Sequence, residues 1–542
     1  MSLIERFDTG IPLDRVARVG TPHYLGRQTS TQGAQMSDTD QPNGSDVEEE
    51  DRMPIVAGVD ASTQSSTVEL RDADSGALLG TGRAAHPETF PPVSEQHPSA
   101  WWSAVASAFA AAAQDAGVRS QEIRAISVGA QCHGLVLLDH DGVPLHPAKL
   151  WNDTTSAPQA ARLLTEFGGK GWADAVGSVP TAAFTITKLA WMAEYKPELL
   201  GQAATVLLPH DYLTFRLTGR FVTDRSDASG TGYFAAHEGR WRTDLLDRVI
   251  GARDWDTMLP TVLGPDEAAG TIAAAVADEL GLDRDVLVGA GGGDQHLSAV
   301  GIGLANGDVA YSLGTSGVVM TASAHPVFDP EGIVTGVASA VGGYLPLACT
   351  LNATKVTDWA ARMLGVSVQG LGELALRGNP ADRPVLAAFL DGERTPNRPD
   401  AVGVLAGLTT TTTREELARA AFEGVLLGLV EAHARLGAVG AAADGEVTIT
   451  GGGARSSAFR QLLADLLGRP ISTRDSAEST ARGAALQASA VLRERSVADV
   501  AVELRPDTTS VTDPQHEAPA RLRDQYRTLS AWTGADRRPD AP

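Results

Sequence analysis

One hairpin pattern occurs twice in this chain, and it narrows the fold more than any other feature. Val56-Ala-Gly-Val-Asp-Ala-Ser-Thr-Gln-Ser-Ser-Thr-Val68 reads as a strand, a small-residue turn and a second strand. Val309-Ala-Tyr-Ser-Leu-Gly-Thr-Ser-Gly-Val-Val319 has the same layout in the second half. Turns rich in Gly, Ser and Thr let backbone amides approach an anion closely. Either hairpin alone would be an ordinary β-turn. The pair, one per half, implies two domains of similar ancestry facing each other across a cleft.

The rest of the pattern fits that division. At 542 residues, with 43% hydrophobic and 20% charged residues, the chain can build two large cores. Strands are expected at Pro54–Asp60, Ile126–Ala130 and Gly134–Leu138. Helices are expected at Trp101–Ala116 and at Ser456–Leu467, the latter with Phe459, Leu462, Leu463 and Leu466 on its apolar face. The threonine run 409–413 leads into a helix starting near Arg414. Alternating strands and helices of this kind define an α/β fold. Residues 1–52 differ in composition and end in the acidic run Asp46-Val-Glu-Glu-Glu-Asp51, so they are expected to form a disordered acidic tail. Met53 is then an alternative start of the chain, and residues 531–542 form a short C-terminal tail.

Charge and cysteine content exclude several classes. With 44 basic against 67 acidic residues, the net charge of −23 disfavours nucleic acid and anionic membrane as partners. It leaves room for a small anion held by local dipoles. Two cysteines, Cys132 and Cys349, cannot form a disulfide framework and suit a reducing cytoplasm. No apolar run is long enough for a membrane helix, and no secretory leader is visible. A P-loop, a dinucleotide-binding fingerprint and zinc-type Cys/His spacing are all missing.

Three strand ends could carry chemistry. In Val286-Leu-Val-Gly-Ala-Gly-Gly-Gly-Asp-Gln-His296, a strand enters a glycine run and delivers Asp294 at the mouth of a helix. There a carboxylate could accept the proton of a hydroxyl attacking phosphorus, or simply cap the helix. Asp60 closes the first strand directly before the first small-residue turn. It could engage Mg²⁺ beside a phosphate, or serve as a turn-forming Asp. In Val447-Thr-Ile-Thr-Gly-Gly-Gly-Ala-Arg-Ser456, glycines at a helix start could let a nucleoside lie against the backbone. Together, two anion-cradling hairpins, a nucleoside-sized glycine turn and two strand-end carboxylates describe an ATP cleft between two domains.

From Ile55 to about Leu492 the chain also resembles the FGGY family of carbohydrate kinases. The matches, in order, are Ala130-Gln-Cys-His-Gly134, Leu150-Trp-Asn-Asp153, Lys188-Leu-Ala-Trp191, Leu208-Pro-His-Asp-Tyr-Leu213 and Ser226-Asp-Ala-Ser-Gly-Thr231. They continue with Gly291-Gly-Gly-Asp294, Ser312-Leu-Gly-Thr-Ser-Gly317, Gly392-Glu-Arg-Thr-Pro396, Gly403-Val-Leu-Ala-Gly-Leu408 and Gly451-Gly-Gly-Ala-Arg-Ser456. The resemblance implies two actin-like, ribonuclease H-like domains with mixed sheets flanked by helices, here 53–302 and 303–530, with ATP and a sugar between them. It further implies ATP- and Mg²⁺-dependent phosphoryl transfer to an open-chain sugar, with the 5-hydroxyl of D-xylulose as the expected acceptor. Ribulose, fuculose, gluconate and glycerol are the alternatives, and a sugar-binding regulator without catalysis is a further one. Relatives are often dimers, so a homodimer is expected.

By the same resemblance Asp294 is the base and touches the sugar, and Asp60 is the carboxylate tied to metal and phosphates. Cys132, His133 and Gln295 face the sugar. Thr63, Gly314, Thr315 and Ser316 belong to the phosphate turns, and Gly452, Gly453 and Ser457 to the adenosine site. The sequence departs from the family pattern at three places. Cys132 stands where Met is usual, Gln295 where Asn is frequent, and Thr67 where relatives often carry Lys or Arg near the phosphates.

Overall fold

In the computed structural model, residues 54–532 are described, apart from 382, 476 and 477. The expectations for the acidic tail, for Met53 and for the last ten residues fall outside this range. Strand β1 (Ile55–Ala61) pairs antiparallel with β2 (Ser65–Asp72), which pairs antiparallel with β3 (Leu78–Ala85). On its other side β1 runs parallel to β4 (Ile123–Ala130). Beyond β4 lie the parallel β6 (Leu287–Gly289) and the antiparallel β5 (Ala268–Thr271). The sheet order is therefore β5-β6-β4-β1-β2-β3.

The second half repeats this sheet strand for strand. β8 (Val309–Leu313), β9 (Gly317–Thr321) and β10 (Leu347–Thr350) form the antiparallel side. β11 (Val447–Thr450) and β12 (Ile471–Arg474) follow in parallel, and β13 (Thr508–Thr512) closes the edge antiparallel, giving the order β13-β12-β11-β8-β9-β10. The hairpins read from the sequence are the central β1–β2 and β8–β9 pairs of these sheets. Only the outermost strand differs in origin: β5 precedes its partner in the chain, whereas β13 follows its partner.

Local chemistry sets the flanking helices. Helix α1 (Pro98–Ala116) begins with Pro in its first turn and stops at Gly117, whose φ of 66° suits a residue without Cβ. Its Ala-rich face covers β2 and β3. The threonine run ends at Thr413, whose Oγ1 accepts the Glu416 N–H while the Glu416 carboxylate accepts the Thr413 N–H. This reciprocal cap starts the long helix Arg414–Ala438, which is buried along most of its length in the core of the second sheet.

One helix ties the halves together. Helix Ser479–Leu492, from the end of the second half, packs against β1 and β4 of the first sheet and crosses helix Asp294–Gly301. A Cβ on Gly483 would stand 1.9 Å from the Leu297 carbonyl oxygen, so only glycine allows these two helices to approach so closely. Among the described residues, no helix is long and apolar enough to cross a membrane.

Candidate active site

The glycine run before Asp294 is not one strand. β6 ends at Gly289, the chain turns through Gly291 at φ 81°, and Gly292–Gly293 form a short strand β7 that pairs again with β4. This second pairing aligns Asp294 with the end of β4, where Gln131, Cys132 and His133 follow. A Cβ on Gly293 would meet Cys132 Sγ at 2.4 Å and the His296 ring at 2.7 Å, so the close approach of the two loops depends on that glycine. Gln487, from the helix that joins the halves, holds the run from behind. Its Oε1 accepts the Gly291 N–H at 2.8 Å, and its Nε2 donates to the Gly291 carbonyl at 3.1 Å.

Asp294 is the first residue of its helix, and Gly293 occupies the cap position. Its Oδ1 accepts the Gln295 N–H at 2.7 Å and the Cys132 thiol at 3.4 Å. Burial pushes its pKa up to about 6, opposed by the bonds from Cys132 and Gln295 and assisted by the charge of Asp227. A carboxylate so placed is ionised near neutrality yet ready to accept a proton. Cys132 therefore touches the Asp294 carboxylate itself. Burial and the neighbouring Asp227 and Asp294 hold its thiol protonated.

His133 has φ 66°, a left-handed conformation that only Glu494 shares among the described non-glycine residues. Such a backbone costs energy and persists where the surroundings fix it. Its ring stacks on Phe184 with centroids 4.7 Å apart, and Nδ1 donates to the Gly230 carbonyl at 2.7 Å. Burial, with the charges of Arg394 and Lys188 nearby, lowers its pKa to about 3. The imidazole is thus neutral, with Nε2 left as an acceptor for a hydroxyl. Gln295 Oε1 is buried without a hydrogen-bond partner in the same neighbourhood. Both groups suit a polyhydroxyl ligand.

Asp60 lies on β1 close enough to Asp294 for their charges to interact. Its Oδ1 accepts the Ser62 hydroxyl at 2.7 Å. Burial, reinforced by Asp294 and Glu478, raises its pKa to about 7. A carboxylate this poorly compensated favours a cation beside it. Among the described residues no three acidic, His or Cys side chains form a metal cage, so Mg²⁺ would be held by Asp60 together with phosphate oxygens and water. Thr63 sits at the base of the first turn. Its hydroxyl donates to Gln131 Oε1 at 3.4 Å and accepts the Trp151 indole N–H at 2.8 Å.

On the other side of the cleft, Gly314 and Thr315 are exposed at the tip of β8–β9, with Ser316 half-buried. The Gly314 carbonyl accepts the N–H and hydroxyl of Thr354, which fixes the turn to the following helix. The adenosine candidates lie against the same strand. A Cβ on Gly453 would stand 2.6 Å from the Leu313 Cβ, whereas one on Gly452 would meet nothing closer than Arg455 at 3.7 Å. Gly452 therefore presents an open face. Ser457 is exposed at the start of helix Ser457–Leu467, and it is Ser456 that caps this helix. The structure thus brings together Asp60, Asp294, Cys132, His133 and Gln295 on one side. The turn Gly314–Ser316 joins Gly452, Gly453 and Ser457 on the other. Cys349 of β10, in the second sheet, lies within electrostatic reach of Asp294 in the first half.

Two features escape the sequence reading. His210 is fully buried among Asp227 (2.8 Å to Nδ1), Asp211 (3.1 Å to Nε2) and Asp224 (3.7 Å to Nε2). Burial opposes its charge, but these carboxylates prevail and raise its pKa to about 9. The imidazolium thereby offsets Asp227, whose charge bears on Asp294 and Cys132. The second is Arg394, whose charge reaches His133 across the cleft from the second half. Both lie inside motifs already noted, Leu208–Leu213 and Gly392–Pro396. Only the folded chain brings them to the site.

A two-lobed cleft with repeated sheets, paired turns and two strand-end carboxylates defines a phosphoryl-transfer site of the actin-like class. Comparison with known proteins gives the family. The N-terminal domain of the FGGY family of carbohydrate kinases matches residues 55–301, and its C-terminal domain matches residues 309–492. The chain belongs to this family. A xylulose kinase of Streptomyces coelicolor is 43% identical over 457 residues, covering 83% of this chain and 90% of that protein. The crystal structure of a xylulose kinase from Bifidobacterium adolescentis superposes with a TM-score of 0.77 at 38% identity, covering 88% of this chain and 99% of that one. A gluconate kinase from Lactobacillus acidophilus superposes with a TM-score of 0.80 at 25% identity over 89% of this chain and 96% of its own.

Proposed function

We propose that this chain transfers the γ-phosphoryl group of ATP to the 5-hydroxyl of D-xylulose. The observation that carries this reading is Asp294, a carboxylate with a pKa of about 6 set between the Cys132–His133 loop and Asp60. The attacking hydroxyl loses its proton to Asp294 as its oxygen bonds to phosphorus, and ADP leaves with the former bridging oxygen. His133 Nε2 and Gln295 Oε1 accept sugar hydroxyls and orient the chain. Backbone amides of the turns at Thr63 and at Gly314, Thr315 and Ser316 hold the phosphates. Gly452, Gly453 and Ser457 take the adenosine. Asp60 would hold Mg²⁺, and the chemistry that ion would supply when bound is neutralisation of phosphate charge.

Similarity to xylulose kinases at 43% and 38% identity supports the pentulose as substrate. Arg394 favours a second reading, because a cation facing the sugar loop would also suit the carboxylate of gluconate. A coupled ADP-release assay with xylulose, ribulose, fuculose, gluconate and glycerol separates them. Xylulose should give the highest kcat/KM, and a tenfold preference for any other acceptor would replace the assignment. A division into domains 53–302 and 303–530 and a cytoplasmic location belong to the same proposal. So does a homodimer, which light scattering tests.

A further inference from the structure

The first phosphate hairpin carries no cation of its own. From Asp60 through Thr67 the side chains are acidic, small or neutral. Arg71, the nearest basic residue on β2, is already bound to Glu69 at 2.8 Å and to the Gly76 carbonyl at 2.7 Å. Yet the surroundings of the hairpin are acidic, with Asp294 and Glu478 both acting on Asp60. Amides alone would have to offset both these carboxylates and a polyphosphate.

Strand register shows where a cation does stand. Asp60 is paired with Thr67 on β2, and Thr67 with Arg83 on β3. Directly paired residues point to the same face of a sheet, so the three side chains form one row. Neighbouring glycines identify that face. Gly58 on β1 faces Ala481 and Ala485 of the joining helix, whereas Gly80 and Gly82 on β3 face α1 from the opposite side. Arg83 alternates with Gly82 and so lies on the cleft side with Asp60. Thr67 between them is short and buried. Arg83 stands two strand spacings, about 9.6 Å, from Asp60, and an extended Arg side chain lying over Thr67 covers the first of these and points its guanidinium towards whatever Asp60 faces.

Arg83 is also free to do so. Its side chain is 62% exposed, and its recorded ion pair, with Glu478, is 4.0 Å long. Among the described residues, no hydrogen bond to its guanidinium is recorded, while its charge already acts on the Asp60 carboxylate.

We infer that Arg83 is the phosphate-binding cation of the first half, reaching over Thr67 from the neighbouring strand to the terminal phosphates of the nucleotide bound beside Asp60. Glu478 holds it loosely until the nucleotide arrives. A guanidinium suits this task because its planar donors can engage two phosphate oxygens at once. The inference rests on the kinase reading for its nucleotide but not for its sugar.

The test is isothermal titration of the purified full chain with Mg·ATP and with AMP, for wild type, Arg83→Gln and Arg83→Glu. Both substitutions fall on an exposed side chain, and thermal melting checks that the fold is kept. Arg83→Gln should weaken Mg·ATP binding by about tenfold or more, the effect of losing a charged hydrogen bond. Arg83→Glu should weaken it further, and AMP affinity should stay within twofold for both. Mg·ATP affinities within twofold of wild type would overturn the inference, as would an equal loss for AMP. A wild type that binds no Mg·ATP would overturn it together with the kinase reading. A wild type that binds Mg·ATP but ignores xylulose would refute only the choice of sugar.

Discussion

Replacing Asp294 by Asn should abolish activity and, above pH 6, make the protein more stable. The two effects have one cause. Burial holds this carboxyl near a pKa of about 6, against about 3.9 for an unperturbed Asp. In the unfolded chain it ionises first as pH rises, so the unfolded state binds fewer protons and native stability falls between about pH 4 and pH 6. Two units at about 1.4 kcal/mol each give a cost of about 3 kcal/mol at pH 8, and about half of that at pH 5. This is an upper value, because the carboxylate keeps part of its surface at the cleft. Asn removes the charge and retains an acceptor for the Gln295 N–H. Its melting temperature should exceed that of wild type by up to roughly 3 °C at pH 8 and by less at pH 5. The kcat should fall about 10²–10⁴-fold. Scanning calorimetry at both pH values and steady-state kinetics on the same preparation test the pair. A variant with unchanged melting at pH 8 would refute the buried-charge argument, and one retaining a tenth of wild-type kcat would refute the base.

Other perturbations read other parts of the site. His210→Gln strands three buried carboxylates and should cost about 3–5 kcal/mol at pH 7. Because the pKa of His210 is raised, its contribution is complete below about pH 6.5 and is lost as pH climbs through about 9. The melting-temperature gap between wild type and variant should accordingly close by pH 10, and a gap independent of pH would count against the imidazolium. His133→Asn, chosen because Asn tolerates the φ of 66°, should raise KM for the sugar about two- to tenfold and leave KM for ATP unchanged. Equal loss for both substrates would indicate damage to the fold instead. Asp60→Ala should raise the Mg²⁺ concentration needed for half-maximal rate at saturating sugar, and an unaltered titration with a normal rate would remove Asp60 from the metal.

How much of this was legible in the sequence depended on distance along the chain. The two hairpins, the helix expected from Trp101, which starts three residues earlier at Pro98, and the strand-to-glycine turns at Asp294 and Gly451 follow from local patterning, since each is set by neighbours in the chain. The interruption at Ala290–Gly291 did not follow, because strand pairing to β4 resumes only once that partner is in place. Asp60 and Asp294 could be named as strand-end carboxylates, but their raised pKa values come first from burial, to which Asp294 adds at Asp60 and Asp227 adds at Asp294. His210 looks like an ordinary helix residue until Asp224 and Asp227 close around it. Arg83 shows the same limit most clearly, since register across two strand pairs, rather than any motif, sets it in line with Asp60.

The central claim is that one group moves between two bound molecules. Phosphorus NMR of the full-length protein with Mg·ATP and D-xylulose tests it directly. ADP and a phosphomonoester on the sugar's C5 oxygen should appear in equal amounts, with no free phosphate and no ATP consumption when the sugar is withheld. Release of inorganic phosphate at the same rate with and without sugar would contradict the account.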